Sequence, residues 1–213
     1  MSFSANSGKQ FWAILGGLAF LAAILVWLAP GEQTLGSGIK SVYIHVALTW
    51  TGMSGFLIAG LAGLAMALFA KPFFQDWTHY IAWVALAFFA AGLAMSIIAA
   101  SINWGAVFWQ EPRTNSAIQI LAVGLIVQVA NSWSIPYRLK GVLNFLLAIF
   151  LLWLIQTTPL VLHPGDAART ATSMAIRFTF FGLYAICVLA GAWIVINWQR
   201  NHRVSRTTGE LQT

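Results

Sequence analysis

The sequence predicts an all-α integral membrane bundle of six transmembrane helices, with both termini on the cytoplasmic side. Three observations predict it. Of 213 residues, 60% are hydrophobic and only 8% are charged, whereas a soluble domain carries about 25% charged residues. The mean hydropathy is +0.80. The apolar residues also gather into six runs, each near the roughly 20 residues that a helix needs to cross a hydrocarbon core about 30 Å thick.

The first run, Phe11–Ala29, follows a short polar segment, residues 1–10, that carries Lys9. It is longer than the roughly 7–15-residue core of a signal peptide. "LAPGE" offers no small-x-small cleavage site, so the run reads as a retained membrane helix. The second, Val42–Ala70, is long enough to tilt or to begin outside the lipid. The others are Tyr80–Asn103, Ala117–Ile135, Val142–Thr158 and Met174–Trp198. The breaks are "PGEQTLGSG", "KPFFQDW", "WGAVFWQEPRTN", "SIPYRLKG" and "HPGDAART", and each holds Gly, Pro or charge. No repeat, low-complexity segment or soluble domain interrupts residues 1–213, which read as one domain. The polar tail, residues 200–213, is expected to be mobile. Small residues crowd "GLAGLAMA" and "AFFAAGLAMS", where they let helices approach closely.

Orientation follows from Lys and Arg in short loops. With the N-terminus inside, seven fall on inner segments: Lys9, Lys71, Arg138, Lys140, Arg200, Arg203 and Arg206. Four fall on outer ones: Lys40, Arg113, Arg169 and Arg177. This bias places His45, His163 and the stretch Trp104–Asn115 at the outer face. The 11 Trp suit rings held at the water–lipid boundary.

Several function classes are excluded or weakened. The bases form no stripe interleaved with aromatics, so the net charge of +6 does not point to nucleic acid. The single Cys, Cys187, permits no disulfide framework within the chain. Buried carboxylates or His relays, which pumps need, are missing from the apolar runs. No Ser–His–Asp pattern, phosphate loop or HExxH motif occurs, so the chain does not read as an enzyme. Gln128 and Asn131, three apart on one helix face, read as interhelical hydrogen-bonding groups.

His45, in "KSVYIHVALTW", and His163, in "TPLVLHPGD", are the candidate metal ligands. Singly, each reads as an interfacial or loop histidine held by backbone or water. Together they lie on one side, and two imidazoles can occupy both axial positions of haem iron. Zinc would require further ligands, with only Glu111 and Asp166 nearby in the sequence. Trp104, Phe108 and Trp109 read either as interfacial belt residues or as an apolar shelf for a large planar ligand. Arg113, Arg169, Arg177 and Lys40 supply cations for carboxylates on such a ligand. Arg113 has a competing role as an ion-pair partner of Glu111.

The order of these features resembles the CcmC/CcsA group of six-helix haem-handling proteins of cytochrome c maturation, CcmC most of all. In "YIHVALTW", Tyr43, His45, Val46 and Trp50 match the family's "YxHVPxAW"-like stretch at the second helix, with Ala47 in place of Pro. Trp104 and Gly105 match the "WG" that opens the family's Trp-rich outer loop. Trp109, Glu111, Arg113 and Thr114 match its "WxWDxRLT"-like ending, with Glu for Asp. His163 matches by position a second outer histidine. The tandem Trp pair of the family's "WWD" segment is absent, and the loop is several residues shorter. The topological resemblance covers nearly the whole chain, and its specific motifs about twenty residues.

The resemblance implies haem b held at the outer face of a prokaryotic cytoplasmic (inner) membrane. His45 and His163 would be its ligands, Trp104, Phe108 and Trp109 its shelf, and Arg113, Arg169 and Arg177 its propionate partners. It implies a haem chaperone or other membrane assembly proteins as partners, alongside lipid. The alternative is a CcmC-like structural subunit of a larger respiratory or photosynthetic membrane complex that no longer transfers haem. A carrier of a small apolar solute is a third reading, although no pair of broken helices marks a substrate site.

Overall fold

The computed structural model describes residues 4–71, 73–159, 161 and 173–210, with side chains described from Gly8 to Asn201 within those limits. The helices are α1 (Ser4–Leu28), α2 (Ile39–Phe69), α3 (Phe73–Trp104), α4 (Pro112–Ser132), α5 (Tyr137–Thr157) and α6 (Met174–Glu210). All six contain a stretch long and apolar enough to cross a membrane, and no strand occurs among the described residues. The chain is a multi-pass membrane bundle, as its composition predicts. His163 and Arg169 lie outside the described residues.

Each of the six apolar runs corresponds to a helix, but the helices are longer than the runs. Backbone hydrogen bonding continues past the lipid, so polar residues extend a helix that hydropathy would end. α3 starts at Phe73 rather than Tyr80, and takes in "FFQDW". Asp76 sits in its first turn, where the helix dipole favours an acid. α2 stops at Phe69 because Ala70 turns left-handed (φ 55°) and donates its N–H to the Met66 carbonyl. α5 starts at Tyr137, whose hydroxyl donates to the Ala70 carbonyl at 3.1 Å. That bond ties the α2–α3 turn to the α4–α5 turn. α6 runs past Trp198 through the polar residues to Glu210.

α2 is the hub, packing against α3, α5, α6 and α1. Glycines set how near its neighbours come. A Cβ on Gly52 would lie 2.6 Å from the Phe89 backbone N, and one on Gly55 would lie 2.7 Å from the Ala85 Cβ. A Cβ on Gly63 would lie 2.6 Å from the Gly141 carbonyl oxygen of α5. Gly92 of α3 meets Thr49 of α2 equally closely. The small-residue runs therefore act as backbone-to-backbone contacts.

Two apolar cores flank this seam. One joins α2 to α5, with Phe56, Phe89, Leu86, Val127, Leu147 and Leu151. The Phe56 and Phe89 rings lie 5.9 Å apart. The other joins α1, α2 and α6 near the start of α2, with Tyr43, Ala47, Phe180 and Leu183. There the Tyr43 and Phe180 rings meet edge to face at 4.7 Å. The Gln128 Nε2 donates to the Asn144 Oδ1 at 3.1 Å, which bears out the interhelical role read for Gln128.

Gly52→Ala must move α3 as a whole, because the atoms it meets are Phe89 backbone. Overpacking of that kind costs about 1–3 kcal/mol. A Cβ on Gly16 of α1 meets nothing within 4 Å. Thermal unfolding in detergent should show a Tm several degrees lower for Gly52→Ala and almost unchanged for Gly16→Ala.

Candidate functional site

The start of α2, the ends of α1, α3 and α5, and the starts of α4 and α6 all meet at one end of the bundle, here called the His45 end. The α1–α2 linker closes part of it. Glu32 folds the linker on itself: its Oε2 accepts from the Thr34 N–H at 2.8 Å and the Leu35 N–H at 3.0 Å. Gly36, at φ 55°, completes the turn by exchanging backbone hydrogen bonds with Glu32. The Tyr43 hydroxyl donates to the Pro30 carbonyl at 3.1 Å. Lys40, counted in sequence among the cations of this end, donates its ammonium to the Trp27 carbonyl at 2.7 Å. It caps the last turn of α1, where a cation is favoured.

The far side of this end is pinned by Asn103. Its Nδ2 donates to the Gly38 carbonyl and the Ser41 Oγ, each at 3.2 Å. The end of α3 is thereby locked to the first turn of α2.

His45 lies about 9 Å along α2 from Ile39, at 1.5 Å per residue, and faces α3. Its Nδ1 is 2.9 Å from the Gly92 carbonyl oxygen. A carbonyl only accepts, so Nδ1 carries a proton. Thr49, one turn on, brings its Oγ1 to 3.3 Å of the same nitrogen. In the neutral form of the ring the lone pair then lies on Nε2. An N–H to a backbone carbonyl is the usual arrangement behind a metal-ligating histidine. Sequence reasoning identified His45 but not Gly92, because a glycine in an apolar run carries no sign of what its carbonyl accepts.

The stretch that resembles the family's Trp-rich loop is compact. Trp104 is the last residue of α3. Gly105 follows in the left-handed region (φ 71°) and donates its N–H to the Ser101 carbonyl at 3.1 Å, a glycine helix stop. Pro112 opens α4, and the buried Glu111 caps it by accepting from the Thr114 N–H at 2.8 Å. The Glu111 and Thr114 of the motif thus have a capping task. Trp104, Phe108 and Trp109 are 47%, 42% and 58% exposed, so their rings stand at the surface of this end.

Arg113 is half-buried in the first turn of α4, and its Nε is enclosed with no hydrogen-bond partner. Arg177 is half-buried in the first turn of α6. The Ser116 and Thr158 hydroxyls meet at 2.7 Å, which brings the end of α5 beside the start of α4. Thr158 precedes His163 closely in the chain.

The structure therefore brings His45, Trp104, Phe108, Trp109, Arg113 and Arg177 to one end of the bundle. Among the described residues, no three His, Cys, Asp or Glu side chains converge as a metal group would require. No family model and no curated protein matches this chain.

The Glu32 turn predicts a pH effect. Its carboxyl is held below the usual glutamate range, chiefly by the Leu35 N–H. A lowered folded-state value means that the turn is favoured above the unfolded value and lost as pH falls through the lowered one. The protection of the Leu35 amide, its exchange rate taken relative to the free-peptide rate at each pH, should hold at neutral pH and fall below about pH 4, the ordinary glutamate range. Glu32→Gln should remove that pH dependence.

Proposed function

We propose that the chain holds haem b at the His45 end and acts in c-type cytochrome maturation in the manner of CcmC. The observation that carries the proposal is the His45 imidazole, whose Nδ1 is held by the Gly92 carbonyl; the neutral ring then keeps its lone pair on Nε2. The exposed rings of Trp104, Phe108 and Trp109 supply apolar surface for a planar macrocycle. The enclosed, unpartnered Nε of Arg113 is a donor that a propionate would satisfy. The chemistry of these residues, an imidazole, flat apolar rings and guanidinium groups at one end of the bundle, suits a haem.

In this reading His45 and His163 hold the iron, and Arg113, Arg169 and Arg177 hold the propionates. Bound haem supplies the cargo for transfer, and no residue of the chain acts as a catalyst. The protein's work is to orient and retain. Gly92 fixes the ring of His45, and the loop closed by Gly105 and Glu111 presents the aromatic rings. The excess of Lys and Arg on the opposite segments supports an outward-facing His45 end and cytoplasmic termini, in a prokaryotic inner membrane. A haem chaperone or another membrane assembly protein would take the haem onward.

A second reading draws on α1. No residue in its membrane window is buried within the chain, and Trp12, Phe20 and Trp27 are 70%, 68% and 81% exposed. That face suits a structural subunit of a larger membrane complex. Stoichiometric co-purification with other subunits in mild detergent would favour it, and a lone small particle would count against it.

The haem reading is tested on protein purified in mild detergent, oxidised and then reduced with dithionite. Wild type should show a Soret band and sharp reduced α and β bands from equimolar haem. His45→Ala and His163→Ala should each lose most of that absorbance. An unchanged spectrum in the double variant would overturn the ligand assignment.

A further inference from the structure

The end of the bundle opposite His45 holds a polar cavity of about 400 Å3 between α2, α3, α4, α5 and α6. Its size lies in the range of small-molecule sites, about 300–1,000 Å3. Two of the side chains lining it are nearly fully buried and lack partners. Thr78 is 1% exposed and Asn131 is 7% exposed, and neither the Thr78 Oγ1 nor the Asn131 Oδ1 has a hydrogen-bond partner. Leaving such an oxygen buried and unpartnered costs about 1–3 kcal/mol.

The neighbouring Asn144 amide is already engaged. Asn144 accepts from Gln128, and its Nδ2 donates to the Lys140 carbonyl at 2.9 Å. The Asn131 Oδ1 only accepts, and the Thr78 hydroxyl both accepts and donates, so an occupant that brings a donor satisfies both.

The remaining wall narrows the choice of donor. Tyr80 and Trp198 both line the cavity, with ring centroids 5.1 Å apart and planes at 33°. Aromatic faces attract an ammonium group, and Asp76 on the same helix as Tyr80 adds a carboxylate to the lining. Lys140, on α5, contributes a cation to the same cavity, and His79 lines it beside the Tyr80 and Trp198 rings. A simple organic cation would meet repulsion there. An ammonium tethered to an anionic group would satisfy both sides, the anion pairing with Lys140.

We propose that this cavity binds a zwitterion that joins an ammonium to a phosphate or carboxylate. The ammonium sits against Thr78, Asn131 and the Tyr80–Trp198 rings, and the anionic group against Lys140. Two sources carry this chemistry: an ethanolamine phospholipid headgroup from the surrounding leaflet and a free zwitterion in water. The site stands apart from the haem reading and shares no residue with it.

The test uses the full chain in phosphatidylglycerol nanodiscs, which contain no zwitterion. Soluble glycerophosphoethanolamine is titrated by calorimetry, beside inorganic phosphate and ethylammonium alone. Native mass spectrometry in parallel measures retention of phosphatidylethanolamine from mixed nanodiscs. Wild type should bind the zwitterion saturably and more tightly than either half. Lys140→Gln and Asn131→Ala should each weaken binding by at least about tenfold, the scale of one lost charge-assisted hydrogen bond.

Lys140 is only half-buried, so its variant should keep the wild-type Tm and report on binding alone. Calorimetric binding assigns a free zwitterion, and retention of the lipid alone assigns the leaflet. Equal binding by wild type and both variants, equal affinity for phosphate or ethylammonium alone, or no binding in either arm would overturn the proposal.

Discussion

The close antiparallel approach of α2 and α3 is the constraint on which the rest of the structure depends. It is set where Gly52, Gly55 and Gly92 leave no room for a Cβ. In lipid, helices gain little from hiding apolar surface, so contact must come from van der Waals packing and hydrogen bonds. A backbone-to-backbone seam supplies both. It fixes the register of α2 on α3, and that register places His45 against the Gly92 carbonyl and Asn103 against Gly38 and Ser41. A slip of one residue would turn these groups away from their partners. The α2–α5 seam at Gly63 and Gly141 extends the same principle.

The two ends of the bundle are built differently on this frame. At the His45 end, two of the linkers are heavily bonded: Glu32 folds one, and Gly105 and Glu111 close another. The loop rings stand exposed there, and Arg113 and Arg177 are half-buried. At the opposite end, the linkers are tighter still, but the helices leave a polar cavity beside the aromatic pair Tyr80 and Trp198. The His45 end thus carries exposed rings, and the opposite end a polar recess.

Most of the fold was legible in the sequence because lipid imposes a length and a polarity on every span. All six runs could be read from that requirement alone. The errors lie at helix ends, where the requirement lapses: "FFQDW" reads as a break by charge but forms the first turns of α3. The site was legible only in part. His45 stood out as a histidine opening an apolar run, and the loop aromatics stood out by density. Gly92 did not, since its role lies in a carbonyl. Thr78 was equally silent, because a single hydroxyl in a helix usually bonds its own backbone. The "WG" and "EPRT" pieces carried two meanings at once. Gly105, Glu111 and Thr114 match a family motif and also perform ordinary helix capping, so their presence alone does not separate haem handling from chain geometry.

The functional account therefore rests on His45, whose Nδ1 is held by the Gly92 carbonyl. The most direct measurement is solid-state 15N NMR of His-labelled protein in lipid, with His45→Gln used to assign the resonance. The account predicts a His45 ring protonated at Nδ1 and carrying no proton on Nε2 without haem. Adding haem should shift and broaden the Nε2 resonance and leave Nδ1 protonated. A proton on Nε2 in place of Nδ1, or a His45 resonance unmoved by haem, would contradict the account.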